Sequence, residues 1–594
     1  MWSERLFFCT FVPEMTKFNT RQCFWLLLAV ACLTIIPALG LTDFHTKGEP
    51  REAVVAYTML ENGNWILPRN NGGEIPYKPP FFHWTIAGFS LLNGGSVNEF
   101  TSRIPSAVAL IAMTMMVYLF YSRRKNTNVA LLTAFVSLTA FELHRAGANC
   151  RVDMMLTALT VISLFLFYRY WERGLKGVPW LAILLMSCAT LTKGPVGTLI
   201  PCLAFGVFLL LRGVNFFKAF GLLMAWGLAS LVLPLCWYWA AYMQGGQEFL
   251  DLALEENFGR MTSTMSYESC VNPWPYNLVT LAGGYVPWIL LVIISLFTLH
   301  IKAGRPYGGP KGIKALFRWL RECDAVNLFS AVCIGVIFLF YCFPQSKRSV
   351  YLMPIYPFIA YFLASYMIYL VKTKSAAIRI YGTVLAVIGV VLTFVFITVK
   401  CGAVNHEALS GDHAAENIAM LSELEEMSWL RWLPALIPTA LSIGWWIGTS
   451  RHKTLSMAYL YAICAMTFGL YIALDMVYQP KILHAKSQRI VAEQIDRVAP
   501  ESAGTIYEFI EAGETALGDP IHFFEINFYL GDRIENFRRN MPSEGFLLIN
   551  EGEDDHYFPQ FQSEGYSFEH VYSSPVTFRP VRLYKFCRTK ASAK

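Results

Sequence analysis

The sequence has few charged residues. Only 15% of its 594 residues are charged and 55% are hydrophobic, whereas soluble globular domains carry about 25% charged residues. A single hydrophobic core stops growing at roughly 250–300 residues, so one soluble core cannot bury this much apolar surface. The scarcity of charge excludes a purely soluble protein and predicts a membrane protein, for which the bilayer is the solvent.

Several motifs are also absent. None of the 14 cysteines forms a CxxC pair or a zinc-binding spacing. Most of them, including Cys188, Cys333 and Cys464, lie in apolar runs, where cysteine acts as a small hydrophobic residue. No Asp-x-Asp motif is present, so we predict no obligatory metal and no other cofactor. The net charge of +6 includes no long basic run, which excludes nucleic acid as a predicted partner.

Long apolar runs, in contrast, are frequent. A helix needs about 20 apolar residues to cross a bilayer, and thirteen runs meet or approach this length. The first run follows Arg5, Lys17 and Arg21 and is longer than the core of a typical signal peptide, so we predict a first transmembrane helix there. The thirteen predicted spans are 23–42, 104–121, 127–146, 153–170, 178–192, 195–211, 219–243, 276–299, 326–343, 350–371, 378–399, 432–449 and 455–477.

The segment 81–93 is apolar but short, and its start is aromatic, as in helices that lie on the membrane surface. If it is not a span and the N-terminus is cytoplasmic, basic loops such as Arg123-Arg124-Lys125 and 300–325 lie inside. The acidic loop 400–430 then lies outside. This distribution obeys the positive-inside rule, and a fourteenth span would invert it. We therefore predict that 81–93 lies on the membrane surface.

The end of the chain differs in kind. It is polar; Arg489–Arg497 has helical periodicity, whereas Ile521–Leu530, Phe546–Ile549 and Val581–Phe586 resemble strands. We predict an α-helical polytopic membrane domain over 1–480, with a periplasmic loop over 43–103, and a small α/β periplasmic domain over 481–594.

Basic residues on the predicted outer face are candidates for function, because positive charge is scarce in outer loops. A charge beside the end of a span is costly unless it reaches water, pairs or holds a ligand. Arg and Lys together suit a lipid phosphate; ordinary anchoring at the interface is the alternative. The residues are Lys47, Arg51, Arg69, Lys78, Arg103, Arg145, Arg151, Lys193, Arg260, Lys347 and Arg348.

Carboxylates on the same face are candidates for a general base. Asp43 and Glu49 follow the first span, and a carboxylate there can take the proton of an acceptor hydroxyl. The segment Glu52–Gly63 has the pattern of an amphipathic surface helix. Asp153 follows Arg151, and a structural ion pair between these two is the alternative to a role in catalysis.

Several short sequence blocks follow one another in an order that resembles the order in one known family. The series resembles the protein O-mannosyltransferases and lipid A aminoarabinose transferases, which are GT-C glycosyltransferases, over roughly residues 23–371. The blocks are Gly48–Met59, Asn62–Pro68, Tyr77–Trp84, Asn98–Ala107, Arg151–Met154, Thr192–Gly197, Asn257–Arg260, Pro287-Trp288 and Ser346–Arg348 with Tyr351.

The resemblance implies a reaction and a set of site residues. A sugar would move from a polyprenyl-phosphate donor to lipid A, a glycan or a protein at the periplasmic face of the bacterial inner membrane, with inversion at the anomeric carbon. Glu49 is predicted to be the base, with Asp43 as substitute. Predicted contacts to the donor come from Lys78, Arg51, Arg151, Asp153, Lys193, Arg260, Lys347, Arg348 and Tyr351.

Two positions depart from the family. Its members usually have an Asp-Glu pair after the first span, where this chain has Gly48-Glu49, and the aminoarabinose branch has a Glu where this chain has Tyr77. The second departure weakens any metal site built on that carboxylate. The alternative function is a transporter or flippase of a phosphorylated lipid, in which Asp475, near the outer end of the last span, would act.

Overall fold

A computed structural model describes the chain over ten ranges and is mostly helical. Of the residues predicted to form the site, only Arg260 lies outside the described residues. The described ranges are 19–76, 78–259, 271–298, 320–373, 375–406, 410–411, 414–451, 456–509, 522–574 and 579–589.

Helices fill the first part of the chain. Their bounds are Thr20–Ile35, Gly48–Asn62, Phe81–Leu92, Glu99–Arg124, Thr127–Leu138, Phe141–Ala148, Val152–Glu172, Trp180–Lys193, Val196–Leu211, Phe216–Leu254, Pro275–Gly284, Trp288–Thr298, Ala325–Phe340, Tyr356–Thr373, Ser375–Lys400, Ala414–Glu426, Ile437–Arg451, Met457–Ala473 and Gln479–His484. Short 3₁₀ or π turns extend some of them, at Ile36–Ala38, Glu255–Gly259, Ser349–Ile355, Trp429–Leu436 and Leu474–Tyr478.

Within the described ranges, seven helical runs are long and apolar enough to cross a membrane. Two bent helix pairs raise the number to nine if each pair is one span, and four shorter apolar helices remain, Phe81–Leu92 among them. Length and composition alone do not divide these helices into spans and surface helices. The predicted number of thirteen spans therefore stays a prediction, whereas the predicted α-helical membrane fold is confirmed.

Side chains satisfy the backbone where the helices begin or bend. Asn98 caps helix Glu99–Arg124, since its side chain accepts from the Thr101 N–H at 3.0 Å. The pair Thr127–Leu138 and Phe141–Ala148 is bent by 62°. At that bend the Tyr471 hydroxyl donates to the Thr139 carbonyl at 3.1 Å. A broken helix is tolerated at membrane depth only where neighbouring groups satisfy the freed backbone in this way.

The C-terminal part forms a five-stranded sheet with its own core. The strands are β1 (Ile506–Glu508), β2 (Ile534–Asn536), β3 (Glu544–Asn550), β4 (Tyr566–Ser573) and β5 (Val581–Arg588), in the spatial order β2-β1-β3-β5-β4. β1 is parallel to β2 and β3, and β5 is antiparallel to β3 and β4. The accompanying helices are Arg489–Val498, Phe524–Tyr529, Phe537–Asn540 and Asp554–Ser563.

This sheet agrees with the prediction of a small C-terminal α/β region, with one correction. The stretch Ile521–Leu530 is not a strand, because residues Phe524–Tyr529 form a helix. Its apolar residues alternate, but Ile526 packs into the domain core while Phe528 contacts Phe44 of the first loop. Alternation in a segment this short fits either element.

The helix after the first span also differs from its prediction. It runs from Gly48 to Asn62, begins before Pro50, and is buried on most of its surface. Helix Phe524–Tyr529 packs on it from the C-terminal domain. The predicted amphipathic surface helix over Glu52–Gly63 is therefore wrong in character, because protein covers the face that was expected to meet water.

Candidate active site

Lys193 and Asp153 form the centre of a charged cluster at the ends of several membrane helices. Lys193 is the last residue of helix Trp180–Lys193, and Asp153 lies in the first turn of helix Val152–Glu172. The two side chains form an ion pair and are largely buried. The Lys193 ammonium also lies 4.4 Å from the centre of the Tyr351 ring, in a cation–π contact. The sequence alternative, an Arg151–Asp153 pair, is therefore replaced by Lys193–Asp153.

The backbone after Lys193 has room only for glycine. Gly194 has a φ of +86°, and a Cβ there would lie 2.1 Å from the Asn257 side-chain oxygen. A left-handed conformation costs other residues free energy, and this contact adds a clash. The glycine thus lets Asn257 approach the end of the Lys193 helix.

Lys78 joins this cluster from the first loop. Its ammonium pairs with the buried carboxylate of Glu256, which lies in the π turn Glu255–Gly259. Lys78, Lys193 and Glu256 line one narrow pocket, whose apolar side is formed by Trp237 and Phe249. The pocket brings together parts of the chain that are far apart in sequence. It offers two cations to a ligand next to apolar surface.

Two arginines lie near Asp153 in this cluster. Arg151 and Arg348 both act electrostatically on the Asp153 carboxylate. The guanidinium of Arg151 lies against Gly48, where an added Cβ would be 3.2 Å from its central carbon. The Nε of Arg348 is buried and has no hydrogen-bond partner among the described residues. Such an orphaned donor is costly unless a ligand meets it.

Other predicted contacts are engaged elsewhere. Lys347 is buried and donates to the Pro344 carbonyl at 2.8 Å. Arg51 pairs with Glu52 at 2.8 Å, and the second oxygen of Glu52 lies 2.8 Å from the His83 ring nitrogen. The predicted role of Arg51 in orienting the donor site therefore has no support in these contacts.

Glu49, the predicted base, is enclosed by protein. Its side chain is 0% exposed, and its carboxylate lies 2.8 Å from the Nε of Arg103, itself only 1% exposed. It also accepts from the Cys150 N–H at 3.1 Å. Burial alone raises the pKa of Glu49, but the charge and hydrogen bonds of Arg103 outweigh it and hold this pKa below its ordinary value. By accepting from the Cys150 N–H, Glu49 holds the backbone directly before Arg151.

Asp43, the predicted substitute, binds the C-terminal domain. It accepts from the Ser487 hydroxyl at 2.7 Å and lies 3.4 Å from the Nε of Arg489. Arg489 also pairs with Glu99, which accepts from the Tyr529 hydroxyl at 2.7 Å. These contacts join the first loop to the domain and occupy the carboxylate of Asp43.

Sequence reasoning missed Glu256 and Asn257 as site residues. Glu256 directly precedes the recognised block Asn257–Arg260, and Asn257 is the first residue of that block. The partner of Glu256 lies 178 positions earlier in the chain, and no local pattern predicts such a pairing. Among the described residues, no three His, Cys, Asp or Glu side chains come together as metal ligands do.

Comparison with known proteins relates this arrangement to one family. The sequence profile of the family described as dolichyl-phosphate-mannose-protein mannosyltransferase matches residues 77–239. An undecaprenyl phosphate-alpha-4-amino-4-deoxy-L-arabinose arabinosyl transferase of Erwinia tasmaniensis is 22% identical over 84% of this chain and 84% of its own length. The protein of the same name from Shewanella sediminis is 25% identical over 59% of this chain, and the match spans 60% of its length.

A solved structure shares the fold. It is the crystal structure of ArnT from Cupriavidus metallidurans bound to undecaprenyl phosphate, with a TM-score of 0.66 and 18% identity. The similarity covers 94% of this chain and 97% of that protein. The chain is thus a multi-pass membrane protein, and the resemblance seen in its sequence blocks is confirmed. The family profile, these relatives and the shared fold together support a GT-C membrane glycosyltransferase similar to the protein O-mannosyltransferases and lipid A aminoarabinose transferases.

Proposed function

We propose that this glycosyltransferase moves a sugar from a polyprenyl phosphate to an acceptor hydroxyl at the cluster around Asp153. One observation carries the proposal: Arg151, Lys193 and Arg348 surround a single carboxylate, and the Nε of Arg348 has no partner among the described residues. A cluster with surplus positive charge at the ends of membrane helices suits a lipid phosphate. The ArnT structure is described as bound to such a lipid.

The leaving group determines what the cations do. As the bond between the anomeric carbon and the phosphate oxygen breaks, its electron pair stays on the phosphate, whose negative charge grows. Preorganised cations and N–H donors aimed at that oxygen lower the barrier. Lys193, Arg348 and Lys78 are the side chains we assign to this task, because they converge on one pocket or on Asp153. Arg260 stays a prediction.

The acceptor proton needs a carboxylate within reach of the sugar. As the acceptor oxygen bonds to the anomeric carbon from the face opposite the phosphate, its proton passes to that carboxylate, and the configuration inverts. We assign Asp153 to this role, since it lies inside the cation cluster. Glu49 as base stays a prediction of the sequence, and its complete burial against Arg103 is the physical reason for preferring Asp153.

We further propose that the site and the C-terminal domain face the periplasm, with the N-terminus in the cytoplasm of a bacterium. The distribution of basic and acidic loops supports this orientation. The contacts of Asp43 and Glu99 with Arg489 are consistent with it, because they require the first loop and the domain to lie on the same side.

Reconstitution tests the proposal. The purified protein in liposomes receives undecaprenyl phosphate carrying a radiolabelled sugar, together with an extract of envelope glycolipids and glycoproteins. We expect label to appear on an acceptor and free undecaprenyl phosphate to accumulate. If the labelled lipid changes leaflet without losing its sugar, the protein is a flippase and the proposal fails. Mass spectrometry of envelope components from a deletion strain, compared with the parent, then identifies the acceptor by its missing sugar.

A further inference from the structure

The C-terminal domain contains a cavity that the donor site does not use, and its lining combines apolar surface with several charged and polar side chains. It has a volume of about 240 Å³ and exceeds the space that one buried water occupies by several fold. It opens beside the start of the first-loop helix. Its lining includes Lys47, His522, Phe523, Glu525, Asn550 and Arg579.

The cavity lies where β3 ends at Asn550 and β5 begins at Val581, next to a switch point of the sheet. β1 lies in the middle of the parallel strands, with β2 on one side and β3 on the other. The chain therefore changes direction across the sheet between β1 and β3. In α/β sheets, ligands bind in the crevice at the carboxyl ends of the strands at such a switch point. Asn550 ends β3, and Glu508 ends β1 and holds His522 at 2.7 Å.

The walls of the cavity carry donors and acceptors of both charges. Glu525 is only 7% exposed, and both of its oxygens lie 3.3 Å from Nη1 of Arg579. The Asn550 side-chain amide donates to the Glu553 carboxylate at 2.9 Å, and this bond does not use the side-chain oxygen of Asn550. Lys47 adds a second cation, and Phe523 adds an aromatic surface. A polyanion would meet the carboxylates, whereas a ring bearing several hydroxyls can donate to them and accept from the cations.

The cavity is next to the proposed transfer site. Lys47 lines it and directly precedes Gly48, where an added Cβ would lie 3.2 Å from the central carbon of the Arg151 guanidinium. Glu525 also lies close enough to Glu49 for their charges to interact. A molecule in the cavity would therefore contact the residue that precedes Gly48, and Gly48 lies beside Arg151.

We infer that this cavity binds a saccharide unit of the acceptor, so that the acceptor is a glycan or glycolipid and not a bare peptide hydroxyl. The inference rests on the proposed function, and it specifies the acceptor class. A peptide would instead need an extended groove or an open sheet edge, and the cavity beside Lys47, the end of β3 and the start of β5 is neither.

Two variants of the cavity test it in the reconstituted transfer assay. Glu525→Gln and Asn550→Ala each remove a polar contact to a hydroxyl, which should raise the KM for an envelope glycolipid acceptor about tenfold or more. The kcat and the KM for the lipid-phosphate donor should stay within about twofold of the parent. Glu569→Gln, an exposed carboxylate on β4 of the same domain, is the matched control. Thermal unfolding of each variant confirms that the domain is intact.

Direct binding gives a readout that is independent of transfer. Oligosaccharides released from envelope glycolipids are the probe for saturation-transfer NMR on the detergent-solubilised protein, beside a serine- and threonine-rich peptide. We expect saccharide signals with the parent protein and with Glu569→Gln. The folded Asn550→Ala and Glu525→Gln variants should lose these signals.

The outcomes separate the cavity from the overall function. Unchanged acceptor KM in both folded variants overturns the inference while leaving the proposed function in place, and so does glycosylation of the peptide in place of the glycolipid. Saccharide binding without any sugar transfer by the parent protein overturns the proposed function but not the cavity.

Discussion

The protein has two charged regions on its proposed outer side, and they differ in how completely their charges are used. Between the first loop and the C-terminal domain, Glu49 is matched by Arg103, and Asp43 by Ser487 and Arg489. Around Asp153, by contrast, positive charge is in excess, and the Nε of Arg348 is unmatched among the described residues.

This difference separates structural from functional charge. A buried ion pair whose hydrogen bonds are all made holds two parts of a fold together and offers nothing to a ligand. A buried donor without a partner is unfavourable, and the ligand proposed above would supply a partner to Arg348. Both residues predicted as bases belong to the satisfied region, and the carboxylate inside the unsatisfied one was predicted only to orient the donor.

The strongest test of this comparison is at Asp153 and Lys193. Asp153→Asn should lower kcat by about 10²–10⁴-fold, because the variant has no general base to take the proton of the hydroxyl that receives the sugar. Lys193→Met should lower it by about 10²–10³-fold, because the phosphate loses a cation. Initial rates in the liposome assay measure both.

Glu172→Gln is the matched control. It lies at the other end of the helix that begins at Val152 and breaks the pair with Arg124, so its kcat should stay within about twofold. If Asp153→Asn keeps the parent rate, Asp153 is not the proton acceptor.

Glu49 should show the opposite balance between rate and stability. Glu49→Gln removes the counter-charge of a guanidinium that is 1% exposed, which should lower the free energy of unfolding by about 3–5 kcal/mol. The kcat should fall only about tenfold, since Glu49 acts by holding the backbone beside Arg151. Thermal unfolding and kcat are measured on the same preparation. Loss of all transfer with unchanged stability would instead identify Glu49 as the base.

Gly48 provides a finer test. An added Cβ would press on the Arg151 guanidinium at 3.2 Å, so Gly48→Ala should displace that side chain and raise the donor KM several-fold, on the order of 1 kcal/mol. Stability should not fall, because alanine is favoured over glycine in a helix. Gly48→Asp should raise the donor KM further, since its carboxylate would pair with Arg151. Gly88→Ala, which has open space around the new methyl group, is the control; equal donor KM in all four proteins would contradict the assignment of Arg151.

The smallest effect on activity is expected at His522. Burial lowers the pKa of His522, but hydrogen bonds to Glu508 and Glu74 outweigh it and raise this pKa to about 10. The resulting stability is complete below the ordinary histidine pKa of about 6.5 and is lost as the pH rises toward 10. Tm should therefore fall between pH 7 and pH 10, and His522→Gln should reduce that slope. The exposed His570→Gln variant should keep the parent slope, and a parent Tm independent of pH over this range would refute the assignment.

Local patterns predicted much of the fold and part of the site. Apolar runs identified the membrane helices, and β3 and β5 were recognised from Phe546–Ile549 and Val581–Phe586, because burial and alternation are properties of neighbouring residues. Lys78 and Lys193 were selected as site candidates because basic residues are scarce in outer loops, and both lie in the charged cluster.

The remaining features depend on contacts between distant residues. The pairing of Lys78 with Glu256 and of Asp43 with Ser487 joins positions 178 and 444 apart, and no periodicity encodes such a contact. The same reason applies to the burial of Glu49: its sequence position after the first span does not show that Arg103 and the backbone at Cys150 enclose it.

The last membrane helix has a consequence for acceptor choice. The last membrane-spanning run ends with helix Gln479–His484, and only residues 485–488 separate it from Arg489–Val498, the first helix of the C-terminal domain, so the domain is attached through a short connection. The saccharide cavity thus stays at a fixed height above Asp153. An acceptor must match this spacing between the sugar that is recognised and the hydroxyl that reacts, which makes the enzyme selective for the size of its acceptor as well as for its chemistry.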